Sequence, residues 1–176
     1  MNRRRKPPGL WRWALFLAAL VAGAWAATRM PASPPDTLTA VPARVIDGDS
    51  FVLGDAAGGH EVRIAGIDAP EFRQPYGREA RSALQDLIAG RQIVILPRAR
   101  DRHGRIVADV TAGGRDVGAE LVAAGAAWAQ RERGGDEALV AAEDLARASR
   151  RGLWALPDPI APWDWRARAR NESPTE

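Results

Sequence analysis

The sequence contains no cysteine, and its 176 residues include only two histidines. Without cysteine the chain can form no disulfide, no thiolate zinc site, no iron–sulfur cluster and no cysteine nucleophile. With His60 and His103 as the only imidazoles, a three-histidine metal site is excluded as well. No histidine lies near Ser50 in the sequence, so a serine hydrolase with a Ser-His-Asp triad is disfavoured.

Basic residues are concentrated at the N-terminus. Residues 1–35 hold six of the 25 basic residues and none of the 22 acidic ones. Beyond residue 35 acids therefore outnumber bases, although the whole chain has a net charge of +3. This distribution does not support a globally basic surface for nucleic acid, and an anionic ligand would have to be bound by a local cluster of arginines.

Residues 1–29 have the pattern of an export segment, in which basic residues 1–6 precede an uncharged apolar run. As a helix, residues 13–28 would span roughly 24 Å, less than the ~30 Å bilayer core. Two interpretations stay open: a signal peptide cleaved after Ala24-Trp25-Ala26, which has small residues at the −3 and −1 positions, or an uncleaved membrane anchor. Both predict an extracytoplasmic domain, secreted, periplasmic or tethered to the membrane, that follows a Pro-rich linker at residues 30–39.

The remaining chain has the pattern of an α+β fold. Alternating β-branched residues predict strands at 37–46, 50–53, 61–65, 92–97 and 105–111. A helical period predicts helices that begin near Tyr76, at Asp116 and at Asp136. One helix between the third and fourth strands fits a five-stranded OB-fold Greek-key barrel with about three α-helices, preceded by the N-terminal hydrophobic helix. An open α+β sheet has the same ingredients and stays an alternative.

The end of the chain yields two further expectations. The acids of the last helix, including Glu143 and Asp144, are predicted to form its solvated face. Residues 157–176 are rich in proline, tryptophan and arginine, and are predicted to form an irregular tail after a domain at residues 40–156. Trp163 and Trp165 beside the arginines could alternatively form a membrane-surface or nucleic-acid segment.

Three segments carry charges that a structural role explains poorly. They are Asp47-Gly48-Asp49-Ser50, the stretch from Arg63 to Asp68-Ala69-Pro70-Glu71, and Asp101-Arg102-His103-Gly104-Arg105. Each alone is typical of a polar turn or loop. Together they supply every residue type that metal-assisted hydrolysis of a phosphodiester requires.

The chemistry divides among five side chains. Asp49 and Asp68 offer the hard oxygen ligands that Ca²⁺ prefers. Arg63 and Arg105 can each bind two phosphate oxygens through the guanidinium fork. Glu71 can orient or deprotonate a water for in-line attack on phosphorus. A bound metal and the two arginines would neutralise the charge of the transition state.

In order and spacing, these motifs resemble those of the staphylococcal nuclease (thermonuclease) family, calcium-dependent nucleases with an OB-fold. The matching stretch covers about residues 40–155 and also includes Tyr76-Gly77, Leu121-Val122 with Gly125, and Gly152-Leu153-Trp154. The resemblance implies hydrolysis of phosphodiester bonds in DNA, RNA or both, which leaves 3′-phosphate ends.

The resemblance also assigns roles to individual positions. It implies that Asp49 and Asp68 bind calcium and that Ala69, where some members have threonine, contributes its backbone carbonyl. It implies that Glu71 is the general base. Arg63 and Arg105 match the arginines that bind phosphate and stabilise the transition state.

Several other expectations complete the analysis. The alternative function is a non-catalytic OB-fold module that binds nucleic acid or protein, although such modules lose the acids that are intact here. Trp128 lies near the region where a tyrosine pair of the best-known member packs on the nucleotide, and could stack a base or belong to the core or its rim. His103 is expected to be a turn residue rather than a base. We expect a monomer.

Overall fold

The computed structural model describes residues 37–54, 59–131 and 135–172. The leader predicted at residues 1–29 and most of the linker therefore lie outside the described residues. In the part of the chain that the structure describes, no helix combines the length and apolar character needed to cross a membrane.

The described residues form nine strands, four α-helices and one 3₁₀ turn. The strands are β1 Leu38–Ala40, β2 Pro42–Val45, β3 Ser50–Leu53, β4 Glu61–Ile64, β5 Ile67–Asp68, β6 Ile93–Arg100, β7 Ile106–Ala112, β8 Arg115–Asp116 and β9 Trp128–Ala129. The helices are α1 Gly77–Ile88, α2 Val117–Ala123, α3 Glu137–Ala148 and α4 Pro162–Glu172, with the 3₁₀ turn at Gly152–Ala155. The α+β class predicted from the sequence is confirmed, with one more helix than expected.

The main sheet is mixed and curled. Its strand order is β1-β6-β7-β4-β3-β2, with β8 paired to β7, while β5 and β9 form a separate antiparallel pair. Residue Val41 alone separates β1 from β2, which stand at opposite ends of that order. The two ends of the sheet must therefore approach each other, which produces a half-barrel.

The prediction of a single strand at residues 37–46 is wrong in one respect, because the structure has two strands there, β1 and β2. Leu38 is the register partner of Ile95 in β6, whereas Val45 is the partner of Phe51 in β3. Both pieces have similar composition, so the pattern of side chains alone contains no signal for this change of partner.

Side chains alternate between the core face and the outer face in the central strands β4 and β7. In β4, Val62 and Ile64 are buried while Arg63 lies on the other face. In the parallel neighbour β7, Ile106 and Val110 are buried by the same alternation. Helix α1 covers this core and buries Ala80, Leu84 and Ile88, which follow the helical period.

The prediction that Glu143 lies on a solvated face is wrong, because its side chain is fully buried. Its carboxylate accepts a hydrogen bond from the backbone N–H of Ala129 and pairs with Arg131 at 3.1 Å and with Arg147 at 2.7 Å. A buried carboxylate is stable when its oxygens are paired in this way. The cap that was predicted at Asp116 is confirmed by its bond to the N–H of Ala119.

The tail predicted as irregular is wrong for residues 162–172, which form α4. Pro162 occupies the first helical position, where its missing N–H costs nothing. The segment is attached to the domain by an edge-to-face contact between Trp163 and Trp128, with centroids 5.5 Å apart. Just before the helix, Gln74 Nε2 donates to the carbonyl oxygen of Ile160 at 2.6 Å. The last element of the chain therefore lies beside the loop that carries Glu71.

The turn before β3 depends on the absence of a side chain at Gly48. A Cβ atom there would lie 2.7 Å from Cβ of Ala69 and 2.8 Å from Cβ of Ala80. We expect Gly48→Ala to lower the free energy of unfolding by about 1–3 kcal/mol, because helix α1 and the segment after Asp68 would have to move apart. Urea denaturation measures the change.

The matched control is Gly54→Ala, whose Cβ would meet its nearest neighbour, Cβ of Ala43, at 3.3 Å. This variant should lose much less stability. An equal loss in both variants would contradict the role of close packing at Gly48.

Candidate active site

The predicted catalytic side chains converge on one open cleft of about 850 Å³. Arg63, Glu71 and Arg105 all line it. The full lining comprises Asp47, Glu61, Arg63, Glu71, Asp101, Arg102, His103, Arg105 and Arg166. Asp49 and Asp68, the predicted metal ligands, are buried, and both contact Arg63.

Asp49 is fixed by the tight turn that precedes β3. Its backbone N–H donates to Oδ1 of Asp47 at 3.1 Å. Its Oδ1 accepts from Arg63 Nη1 at 2.7 Å and from Ser50 Oγ at 2.9 Å, and its Oδ2 accepts from the N–H of Ala69 at 2.8 Å. Burial raises the pKa of Asp49 to about 7, although the charge of Arg63 opposes that shift.

Arg63 joins the two buried aspartates. It lies opposite Ser50 in the β3–β4 ladder, which places it beside Asp49. Its Nη2 donates to Oδ1 of Asp68 at 2.8 Å. Burial disfavours the charge of Arg63, but Asp49 and Asp68 outweigh burial and raise its pKa. The guanidinium is therefore charged and holds two carboxylates from separate segments at one point.

The segment after β5 directs Glu71 to the edge of the cleft. The N–H of Glu71 donates to Oε1 of Gln74 at 3.1 Å, and its carbonyl accepts from the N–H of Gln74 at 2.8 Å. That carbonyl lies where a Cβ on Gly77 would stand, since the two would be 1.9 Å apart. The glycine that opens α1 thus allows the loop to fold closely over the helix, and the Glu71 side chain stays about one third exposed.

Arg105 reaches the cleft from the β6–β7 turn. Because β4 and β7 are parallel with Val62 opposite Ile106, Arg105 stands beside Glu61. Its Nε donates to Oδ2 of Asp101 at 2.7 Å, and its Nη1 lies 3.5 Å from Oε1 of Glu61. Asp101, the first residue of the turn that was predicted at Asp101–Arg105, therefore orients the Arg105 side chain.

Arg166 of α4 is a site residue that the sequence analysis missed. Its Nη2 donates to Oδ2 of Asp68 at 2.7 Å, and its Nη1 donates to Oδ1 of Asp68 at 3.1 Å and to Oε1 of Glu71 at 2.8 Å. These hydrogen bonds, the one to Asp68 above all, raise the pKa of Arg166. A proline followed by ten residues without proline or glycine was a signal for this helix.

The surroundings of Trp128 and His103 indicate structural roles for both residues. Trp128 is buried and packs edge-to-face on Trp154 at 4.4 Å, with the Arg147 guanidinium 4.6 Å from its ring centroid. It therefore belongs to the core and not to a surface for stacking bases. His103 lies in the β6–β7 turn, where its N–H donates to Asp101 and its Nε2 accepts from Arg102 at 3.1 Å.

The oxygen donors of Asp49 and Asp68 suit a hard divalent cation. Within the described residues no three side chains of His, Cys, Asp or Glu are grouped so that they could bind one metal ion. Asp49 and Asp68 nevertheless supply the carboxylate oxygens that Ca²⁺ prefers, and main-chain carbonyls, water and phosphate can complete its 6–8 ligands.

The charge balance of the cleft and its two buried aspartates also favours a divalent cation. Six carboxylates stand in or next to the cleft against four arginines, namely Asp47, Asp49, Glu61, Asp68, Glu71 and Asp101 against Arg63, Arg102, Arg105 and Arg166. With every group ionised, this set has an excess of negative charge, which a divalent cation would offset. The residues therefore fit a cation of this class.

The sequence matches the model of one family and is similar to several known proteins. The model of the family described as staphylococcal nuclease homologue matches residues 61–156. An Escherichia coli protein named as an uncharacterized endonuclease is 40% identical over 71% of this chain and 82% of its own length. Protein ParB of Escherichia coli is 35% identical over 96% and 97%. A probable staphylococcal-like nuclease of Oryza sativa is 37% identical over 64% of this chain and 34% of its own length.

The buried pairs of Arg63 should contribute to stability far more than an exposed pair. We expect Arg63→Ala to lower the free energy of unfolding by about 3 kcal/mol, because Asp49 keeps its burial and loses its counter-charge. Arg98→Ala, which removes an exposed pair with Asp109, should cost less than about 1 kcal/mol. Denaturation of both variants in urea compares them.

The loss in Arg63→Ala should also depend on pH. The pKa of Asp49 is already raised to about 7, and removal of Arg63 raises it further. A raised carboxyl pKa stabilises the fold below the unfolded value near 4, and this contribution is lost as pH rises through the folded value. The loss should therefore be larger at pH 8 than at pH 5, and an equal loss at both would contradict the role of Asp49.

Proposed function

Because the chain belongs to the staphylococcal nuclease homologue family and is a nuclease, we propose that it is a Ca²⁺-dependent enzyme whose phosphodiester products carry 3′-phosphate ends. One observation carries this proposal. Arg63, Glu71 and Arg105 share a single cleft, and Arg63 connects that cleft to Asp49 and Asp68. Nucleic acid, as DNA, RNA or both, is the substrate.

Glu71 is the general base in this proposal. Its carboxylate lies at the cleft and is partly exposed, so it can accept a proton from a water that stands beside the phosphate. The water oxygen bonds to phosphorus, and the bond between phosphorus and the 5′ oxygen breaks. The leaving 5′ oxygen takes a proton from solvent, and Glu71 later returns its proton to solvent. The products are then a 3′-phosphate and a 5′-hydroxyl.

The two arginines bind the phosphate whose charge redistributes in this step. Arg63 uses one N–H on each of two nitrogens for the aspartates, and three of its five N–H donors remain for phosphate oxygens. Arg105 keeps Nη2 available, since its described partners engage Nε and Nη1. Both guanidiniums are held in place before the substrate arrives, which favours stabilisation of the transition state.

Asp49, Asp68 and the carbonyl of Ala69 are the groups that would hold the cation. When bound, the cation would polarise the phosphoryl oxygens and offset the negative charge of the cleft. The buried carboxylate of Asp49 is oriented for this task by Ser50 and by the N–H of Ala69.

Hydrolysis of labelled single-stranded DNA and RNA by the full chain tests the proposal. Wild type should cleave with Ca²⁺ and lose activity with excess chelator. Glu71→Gln and Arg105→Ala should each lower kcat by about 10²–10⁴-fold, because one removes the base and the other a charge-stabilising donor. A phosphatase that removes the terminal phosphate should identify the 3′-phosphate.

The control is Glu137→Gln, which makes the same change at an exposed residue of α3. It should cleave as wild type does, and thermal melting should show that all variants fold. Undiminished cleavage by Glu71→Gln would contradict its role as base, and full activity in chelator would contradict the cation requirement.

A further inference from the structure

A second depression, of about 510 Å³, lies next to the cleft. Its lining comprises Phe72, Arg73, Gln74, Pro75, Arg78, Glu79 and Trp165. Trp165 belongs to α4, beyond the residues that the family model matches. We call this depression the α4 groove.

The α4 groove combines exposed aromatic surface with basic charge. The Phe72 ring is 42% exposed, although large apolar side chains are usually buried. The guanidinium of Arg78 lies 5.3 Å from the centroid of that ring. Within the described residues neither Arg73 nor Arg78 forms an ion pair, and Glu79 is the one carboxylate in the groove lining.

The groove and the cleft adjoin at two places along the backbone. Glu71 lines the cleft, and the next residue, Phe72, lines the groove. On α4, Arg166 lines the cleft, and the preceding residue, Trp165, lines the groove. A polyanion with one phosphate in the cleft therefore has the groove as an adjacent surface for its neighbouring nucleotides.

We propose that the α4 groove binds a single-stranded part of the nucleic-acid substrate beside the scissile phosphate. Phe72 and Trp165 stack on bases, and Arg73 and Arg78 contact phosphates. Aromatic faces beside arginines suit a single strand, because its bases are free to stack while those of a duplex are already stacked on each other. The proposal rests on the nuclease function and extends it to substrate length and strandedness.

The first test compares cleavage of a dinucleotide with that of a 12-nucleotide single strand. Wild type should prefer the longer substrate in kcat/KM. Phe72→Ala should reduce that preference roughly fivefold or more, chiefly through KM, because loss of one stacking contact has at least that effect. The double variant Arg73→Gln/Arg78→Gln should also reduce it, because two phosphate contacts are lost. Arg91→Gln, the same change beyond the other end of α1, should keep the wild-type preference.

The second test measures binding of the labelled 12-nucleotide strand to the inactive variant Glu71→Gln by fluorescence anisotropy. Adding Arg73→Gln/Arg78→Gln should weaken binding and reduce the slope of log K against log salt by about 1.4, since each phosphate contact on a single strand contributes about 0.7.

The outcomes separate this inference from the proposed function. If wild type cleaves both substrates but the Phe72 and arginine variants keep its length preference, the groove proposal is wrong and the nuclease function stands. The groove proposal is also wrong if Arg91→Gln has the same effect. If wild type cleaves neither substrate, the proposed function fails, while the anisotropy measurement still decides whether the groove binds a strand.

A different observation, the ion pairs of α4, carries a second inference. Both oxygens of Asp68 accept hydrogen bonds from Arg166, so one face of this carboxylate is taken by a guanidinium. The helix that supplies Arg166 buries little of itself, with Pro162 its one buried residue. The contacts of Arg166 with Asp68 and Glu71 are therefore a large part of what attaches α4 to the site.

We infer that Arg166 competes with the divalent cation for Asp68 and that cation binding displaces it. The guanidinium stabilises the buried carboxylate when no cation is bound. A cation and Arg166 cannot both occupy the same face of Asp68, so the exchange lowers the apparent affinity for the cation. Arg166 is thus a positioning residue whose effect is measurable without catalysis.

Calorimetric titration of Ca²⁺ into the full chain tests the exchange. Arg166→Gln should bind Ca²⁺ roughly tenfold more tightly than wild type, because the competing guanidinium is gone. Arg168→Gln, the same charge change two residues on, should alter the affinity much less. Ca²⁺ should also change the fluorescence of Trp163 and Trp165 in wild type, measured as the difference from a Trp163→Phe/Trp165→Phe variant. Equal or weaker Ca²⁺ binding by Arg166→Gln would overturn the inference.

Discussion

The contact on which the site depends is the Arg63 guanidinium between Asp49 and Asp68. Two buried carboxylates this close to one another would each be costly alone, because burial disfavours their charge and they repel each other. Arg63 offsets both effects with one hydrogen bond to each, at 2.7 and 2.8 Å. It thereby fixes the turn before β3 relative to the end of β5. Glu71 lies only three residues after Asp68, so its position depends on the same contact.

The mixed sheet explains why these particular segments meet. Strand β4 pairs with β3 on one side and with the parallel strand β7 on the other. The first pairing sets Arg63 opposite Ser50 and hence beside Asp49, and the second sets Arg105 beside Glu61. One central strand thus brings two distant turns to its outer face, while the alternation of its side chains directs Val62 and Ile64 into the core. The core and the candidate active site thus use opposite faces of the four residues of β4.

Much of this arrangement follows from local signals in the sequence, and the exceptions share a physical cause. Helix α1 and the caps of the later helices were predictable because apolar spacing and capping residues lie within one short segment. The burial of Glu143 and the pairing of Arg166 were not predictable, because each depends on a partner that only the fold brings near. That partner is Arg131 for Glu143 and Asp68 for Arg166. A charged residue on a helix is normally solvated, so its burial or pairing depends on tertiary contacts that no local pattern contains. The division of residues 37–46 into two strands has the same origin.

Helix α4 changes how the site should be understood. The cleft and the buried Asp49 and Asp68 beside it together have more carboxylates than arginines, which suits a cation and works against a polyanionic substrate in the cation's absence. The α4 groove has the opposite balance, and its Phe72 side chain is exposed. The candidate active site and the groove proposed to bind substrate are thus neighbouring surfaces that differ in charge, and α4 contributes a residue to each, Arg166 to the cleft and Trp165 to the groove. Because these two residues are adjacent in one lightly buried helix, a shift of α4 that releases Arg166 from Asp68 would also move a wall of the groove.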